Sequence, residues 1–94
     1  MSDLVEVLRE LQYGNIPQLL RDAGIRGEVG DCLSCPIALY LIERTGCVRA
    51  DVGSDVTTLM YEDGTYESAS NPTNVEAFVD RFDGLGYPDL IRSE

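Results

Sequence analysis

The chain has 94 residues, enough for one small domain but not for two independent hydrophobic cores. Apolar residues make up 44% and charged residues 26%, which is typical of a folded globular protein, so we expect a single domain over residues 1–94. Seven basic and seventeen acidic residues give a net charge of −10, which disfavours binding to nucleic acids and anionic lipids. The sequence contains no histidine, which excludes catalysis by a histidine base from this chain.

The first part of the chain has the spacing of amphipathic helices. Apolar residues recur at helical intervals over residues 3–12 and predict the first helix. Asn15 is expected to cap a second helix, with Pro17 tolerated in its first turn. Gly24 is expected to end that helix in the left-handed conformation.

A third helix is predicted after a loop over residues 26–33. It is expected to begin at Ser34 or Cys35, to carry Pro36 just inside its start and to end at Thr45-Gly46. Its apolar surface is broad, which predicts that it is the most buried helix of the fold.

Beyond Gly46 the apolar period changes from 3.6 to 2, which predicts β-strands. Asp63-Gly64 is typical of a two-residue hairpin loop, and such a loop would place Tyr61 opposite Tyr66. The three predicted strands are residues 48–52, 56–61 and 65–69. The first is expected to be half-buried, with Val48, Ala50 and Val52 on its buried face.

The last main element is predicted to be a helix with Asn71 as its cap and Pro72 at its first position, ending at Gly84. Residues 87–91 are expected to add one short helical turn. The order of elements predicts an α+β fold: three N-terminal helices, a three-stranded antiparallel β-meander covered on one face, and a C-terminal helix.

Cys32 and Cys35 form a Cys-x-x-Cys motif at the start of the third helix. The positive end of a helix dipole favours a reactive thiolate, which makes these two residues candidate reactive thiols. The alternative interpretation is structural, with Cys35 as a small buried residue and Cys32 as a loop thiol. The odd total of three cysteines, without a predicted signal peptide, favours reduced thiols in a cytoplasm.

A zinc site is the other interpretation of the cysteines. Cys32, Cys35 and Cys47 could supply three ligands, and Asp31 or Asp51 a fourth. Structural zinc sites usually combine cysteine with histidine or use four cysteines, and a whole predicted helix separates Cys35 from Cys47. We therefore expect no metal and no other cofactor.

Tyr61, Tyr66 and Tyr87 are candidate interface residues, because tyrosine combines a large apolar body with a polar tip. They could equally cover the edge of the core. A meander also leaves unpaired backbone groups at its two margins, where a partner or a second copy could dock.

Three stretches resemble small uncharacterised proteins of actinobacteria and their bacteriophages, including mycobacteriophage-like proteins. They are Gly24-Ile-Arg-Gly27 with Gly30-Asp31, then Cys35-Pro-Ile-Ala-Leu-Tyr-Leu41, then Phe78-Val-Asp-Arg-Phe-Asp-Gly84 with Tyr87-Pro88. The resemblance implies a cytoplasmic protein, in the host cytoplasm if a phage encodes it. It implies no activity and no catalytic residue.

These features predict a non-enzymatic accessory protein that binds a protein partner in a host-interaction or regulatory role, the partner being a host protein or a second copy. We expect no binding to nucleic acid or membrane. One alternative is a thiol-based redox or metal-binding function at Cys32 and Cys35. A second alternative is a DNA mimic that inhibits a DNA-binding protein.

Overall fold

Within the described residues the fold is α+β, with four helices and one three-stranded antiparallel sheet. The computed structural model describes residues 3–29, 33–53 and 55–91. Three helices come first, the strands follow in the order β1-β2-β3, and the last helix returns to pack against the first. The elements are α1 (Asp3–Tyr13), α2 (Ile16–Asp22), α3 (Pro36–Thr45), β1 (Arg49–Val52), β2 (Val56–Met60), β3 (Tyr66–Ser70), α4 (Thr73–Asp83) and a 3₁₀ turn (Pro88–Leu90).

The predicted helix boundaries in the first half are confirmed, because the local capping signals act as expected. The Asn15 side chain accepts a hydrogen bond of 3.2 Å from the backbone N–H of Gln18. Gly24 has a φ of +70°, and the N–H of Ile25 donates to the Leu20 carbonyl at 3.0 Å, which closes the C-terminal end of α2. Gly46, with a φ of +76°, ends α3 in the same left-handed conformation.

The predicted cap of the last helix is wrong. Helix α4 begins at Thr73, and the Asn71 side chain is occupied by the sheet instead. Asn71 is only 8% exposed; its oxygen accepts a 2.5 Å hydrogen bond from the Thr57 hydroxyl and its Nδ2 donates to the Gly53 carbonyl at 2.8 Å. The buried Thr57 hydroxyl and the half-buried Gly53 carbonyl each need a partner, and the Asn71 amide supplies both.

The predicted pairing of Tyr61 with Tyr66 is also wrong, because the β2–β3 loop has three residues. Met60 is the partner of Tyr66 in the observed register. The N–H of Tyr61 donates to the Thr65 carbonyl, and the N–H of Gly64 donates to the Tyr61 carbonyl, both at 2.9 Å. Gly64 has a φ of +88°, as expected where a type I turn is followed by a left-handed bulge residue.

The helices cover one face of the sheet. Side chains of Ala50, Val52, Thr57 and Leu59 point into the core from that face. Val48 lies before β1 and is 52% exposed, so the predicted burial of Val48 with Ala50 and Val52 is wrong at this residue. No helix within the described ranges is long and apolar enough to cross a membrane.

Helices α1 and α3 are joined by a polar cluster of three side chains. The Tyr40 hydroxyl donates to Glu10 Oε1 at 2.7 Å, and Arg44 Nη2 donates to Glu10 Oε2 at 2.9 Å. Hydrogen bonds from Arg44 and then from Tyr40 lower the pKa of Glu10. Because Tyr40 is 4% exposed, burial raises the pKa of its hydroxyl.

Candidate interaction surface

The described cysteines lie at the two ends of α3. Cys35 occupies the N-cap position and is 4% exposed, whereas Cys47 follows the helix and is 3% exposed. Asp31 and Cys32 lie outside the described residues. In the part of the chain that the structure describes, no three side chains of cysteine, aspartate or glutamate come together to hold a metal ion, and Asp51 is exposed on the sheet.

The three tyrosines predicted at an interface lie in three different environments. Tyr61 is half-buried against the core and its hydroxyl donates to Glu67 Oε1 at 2.8 Å. Tyr87 stacks on the ring of Phe78, with 4.9 Å between the ring centroids. Tyr66 is 69% exposed. Of the three, Tyr66 is therefore the residue that a partner can reach most easily.

Tyr66 belongs to the face of the sheet opposite the core, here called the open face. Successive side chains of a strand point to opposite sides, so the observed register defines which residues share this face. Its members are exposed or half-buried. They are Arg49, Asp51, Val56, Thr58, Met60, Tyr66, Ser68 and Ser70.

The open face is organised in rows that run across the strands. Arg49, Met60 and Tyr66 are register partners and form what we call the long row, because all three side chains are long. The next positions along the strands form the short row, in which Asp51, Thr58 and Ser68 are register partners with short side chains.

Asp51 and Thr58 of the short row form the floor of a shallow hollow beside the long row. The hollow has a volume of about 280 Å³ and is lined by Arg49, Asp51, Thr58, Met60 and Tyr66. Thr58 lies on its floor, and the hydroxyl oxygens of Thr58 and Ser68 are 3.0 Å apart and share a hydrogen bond. The hollow therefore has an aromatic and an aliphatic wall, a hydroxylated floor and one charge of each sign.

The charge of the open face differs from that of the rest of the protein. Arg49 and Asp51 are its charged residues, and their charges cancel. The whole chain carries −10. Most described carboxylates are exposed on helices and loops, including Glu76, Asp80 and Asp83, which follow one line along α4.

One of the exposed carboxylates is held by a long-range ion pair. Arg21 of α2 lies 2.5 Å from Asp89 of the 3₁₀ turn, and both side chains are about half exposed. The hydrogen bond from Arg21 lowers the pKa of Asp89. This pair fixes the C-terminal turn against α2 and removes little of the negative charge of the surface.

Met60 and the short row are not among the site residues that the sequence predicts. The sequence places Met60 and Thr58 in a strand, but their neighbours across the sheet depend on the hairpin register, and the predicted register differs from the observed one by one residue. Comparison with protein-family models, with curated proteins and with solved structures finds no match to the chain.

Proposed function

We propose that the protein acts without catalysis, as a small acidic accessory protein that binds a positively charged protein partner. Phage or actinobacterial origin and a cytoplasmic location belong to the same proposal and rest on the resemblance of three short stretches. The role is one of host interaction or regulation, in which binding changes what the partner does.

The observation that carries the proposal is the acidic helical surface. The net charge of −10 is spread over exposed carboxylates, and the fold places Glu76, Asp80 and Asp83 at successive turns of α4. A field of this sign accelerates encounter with a cationic partner and repels nucleic acid. A thiol function has less support than binding, because Cys35 is buried.

The test is capture from an actinobacterial cell extract, followed by direct titration of the captured protein after its purification. We expect capture at low ionic strength and a dissociation constant that rises steeply with salt. The absence of any captured protein at low salt would overturn the proposal.

A matched pair of variants locates the binding surface. One variant neutralises the α4 line by Glu76→Gln, Asp80→Asn and Asp83→Asn. The control makes the same change of charge at exposed sites elsewhere, by Glu6→Gln, Glu43→Gln and Glu62→Gln. We expect the first to raise the dissociation constant about tenfold and the control about threefold or less. Equal effects would mean that net charge alone acts and would refute a binding surface on α4.

A further inference from the structure

We propose that the open face of the sheet pairs with the open face of a second copy of the chain. This inference concerns a different surface from the acidic helices and stands independently of the proposed function. It rests on the order of long and short side chains on the open face and on the positions of its two charges.

The first argument is shape. When two sheets pack face to face with aligned strands, their backbones lie about 10 Å apart. Two long side chains facing each other overfill that space, and two short ones leave a void. A two-fold axis that runs across the strands, midway between the rows, places the long row of each copy over the short row of the other.

The register makes that exchange consistent in every strand. Met60 of one copy lies over Thr58 of the second copy, and Tyr66 lies over Ser68. The hollow of about 280 Å³ above Asp51 and Thr58 is the space that the Met60 side chain of the second copy would fill. Packing of this kind removes Tyr66, which is 69% exposed, from water.

The second argument is charge. The same axis places Arg49 of each copy over Asp51 of the other, so that two equivalent ion pairs form. Two chains of charge −10 repel each other through their acidic surfaces, and a neutral face with one charge of each sign is where they can approach. A cationic partner gains nothing from this face, which favours a second copy as its occupant.

The size of the face predicts a weak and reversible dimer. Three strands of four or five residues each present an area at the low end of specific interfaces, on the order of 1,000 Å² in total. We therefore expect a dimer dissociation constant in the micromolar range or above. Sedimentation equilibrium over a wide series of protein concentrations measures it.

Charge reversal tests the ion pairs. Arg49→Asp places two carboxylates together in each pair, and Asp51→Arg places two guanidinium groups together, so each variant alone is expected to be at least tenfold weaker as a dimer. Asp51→Arg also makes the chain less negative, so a simple effect of net charge would strengthen association instead. An equimolar mixture of the two variants restores both pairs, and we expect it to form heterodimers.

Exchange of side-chain size tests the packing and separates it from pairing through the edge of β1. Ser68→Tyr on β3 sets long over long and should abolish the dimer, whereas the double variant Tyr66→Ser with Ser68→Tyr exchanges the rows on β3 and should restore it. Tyr13→Ser is the control, because Tyr13 is 83% exposed at the end of α1 and belongs to neither the long row nor the short row. All substituted residues are at least partly exposed, and circular dichroism verifies that each variant is folded.

Three results would overturn the inference. The first is a wild-type chain that remains monomeric into the millimolar range. The second is a mixture of the charge-reversed variants that remains monomeric. The third is a dimer that persists in Ser68→Tyr, which would indicate association through a sheet edge. None of these results bears on capture of a cationic partner by the acidic helices, so the two proposals fail separately.

Discussion

Replacement of Asn71 by aspartate distinguishes two roles for this residue: the helix cap that the sequence predicts, and the buried hydrogen-bond partner of Thr57 and Gly53 that the structure shows. Aspartate is as good a helix cap as asparagine, so a capping residue would tolerate the change with little loss of stability. In the structure, Asn71 instead donates through Nδ2 to the Gly53 carbonyl and accepts from Thr57. An aspartate can accept from Thr57 but cannot donate to Gly53 when it is ionised.

The expected loss of stability follows from the hydrogen bond that an aspartate at this position cannot make. The Gly53 carbonyl loses this donor, which costs about 1–3 kcal/mol, and a charge is confined at a position only 8% exposed. We expect the free energy of unfolding to fall by about 2–4 kcal/mol. For a domain of this size that lowers the melting temperature by about 10–25 °C.

The assay is thermal and denaturant unfolding of wild-type protein and Asn71→Asp, followed by circular dichroism as a function of pH. Burial raises the pKa of an aspartate at this position, and the neutral carboxyl group can donate to the Gly53 oxygen. The difference between the two proteins should therefore narrow as the pH falls. A variant within about 0.5 kcal/mol of the wild type at neutral pH would refute the reasoning and support a capping role.

Three further measurements test other parts of the fold. Hydrogen bonds from Arg44 and Tyr40 lower the pKa of Glu10 below 4.5, so ionised Glu10 stabilises the fold above that pH. Glu10→Gln should therefore lower the free energy of unfolding by about 0.5–1 kcal/mol at neutral pH. In equilibrium unfolding, the difference in stability between variant and wild type should vanish as the pH falls through the lowered pKa. Gly46→Ala should lower the free energy of unfolding by about 1 kcal/mol, because Gly46 has a positive φ but open space around it. Gly27→Ala should lower it by at least about 3 kcal/mol, because the new Cβ would lie 2.5 Å from backbone atoms beside α3. Equal losses of stability in the two variants would contradict the geometry. Cys35 and Cys47 are expected to resist alkylation in the native protein and to react at the rate of unfolding, as followed by peptide mass spectrometry; rapid native labelling of either would contradict its burial.

The parts of the fold that the sequence predicts correctly are those decided by neighbouring residues. Gly24 and Gly46 end their helices because a left-handed residue there favours glycine, whatever lies around it. Asn15 caps α2 because its side chain reaches an amide three residues away. The change of apolar period after Gly46 correctly predicts three strands, since the period depends on which face meets the core.

The errors arise where a distant residue decides the outcome. Asn71 satisfies the local rule for a cap, but the buried hydroxyl of Thr57 competes for the same side chain from the middle of the sheet. Val48 fits the alternating pattern, but it lies before the strand begins and is 52% exposed. The open face could be predicted only in outline, because its rows require the register of two hairpins.

The same register can be tested by removing Glu62. If Glu62 were paired with Thr65 across a two-residue loop, its deletion would shift β3 by one residue and exchange the two faces of that strand. In the structure, Glu62 is the first of three loop residues and Tyr61 already bonds Thr65. Its deletion should leave Asp63-Gly64 as a two-residue loop between unchanged strands, at a cost of about 1 kcal/mol.

Nuclear Overhauser contacts between Met60 and Tyr66 would verify the retained pairing, and equilibrium unfolding would give the cost. Deletion of Ser68, inside β3, is the control that shifts the register and should unfold the domain. If removal of Glu62 were equally disruptive, the three-residue loop would be wrong. The long and short rows would then no longer face outwards together, and pairing of two open faces would lose its structural basis.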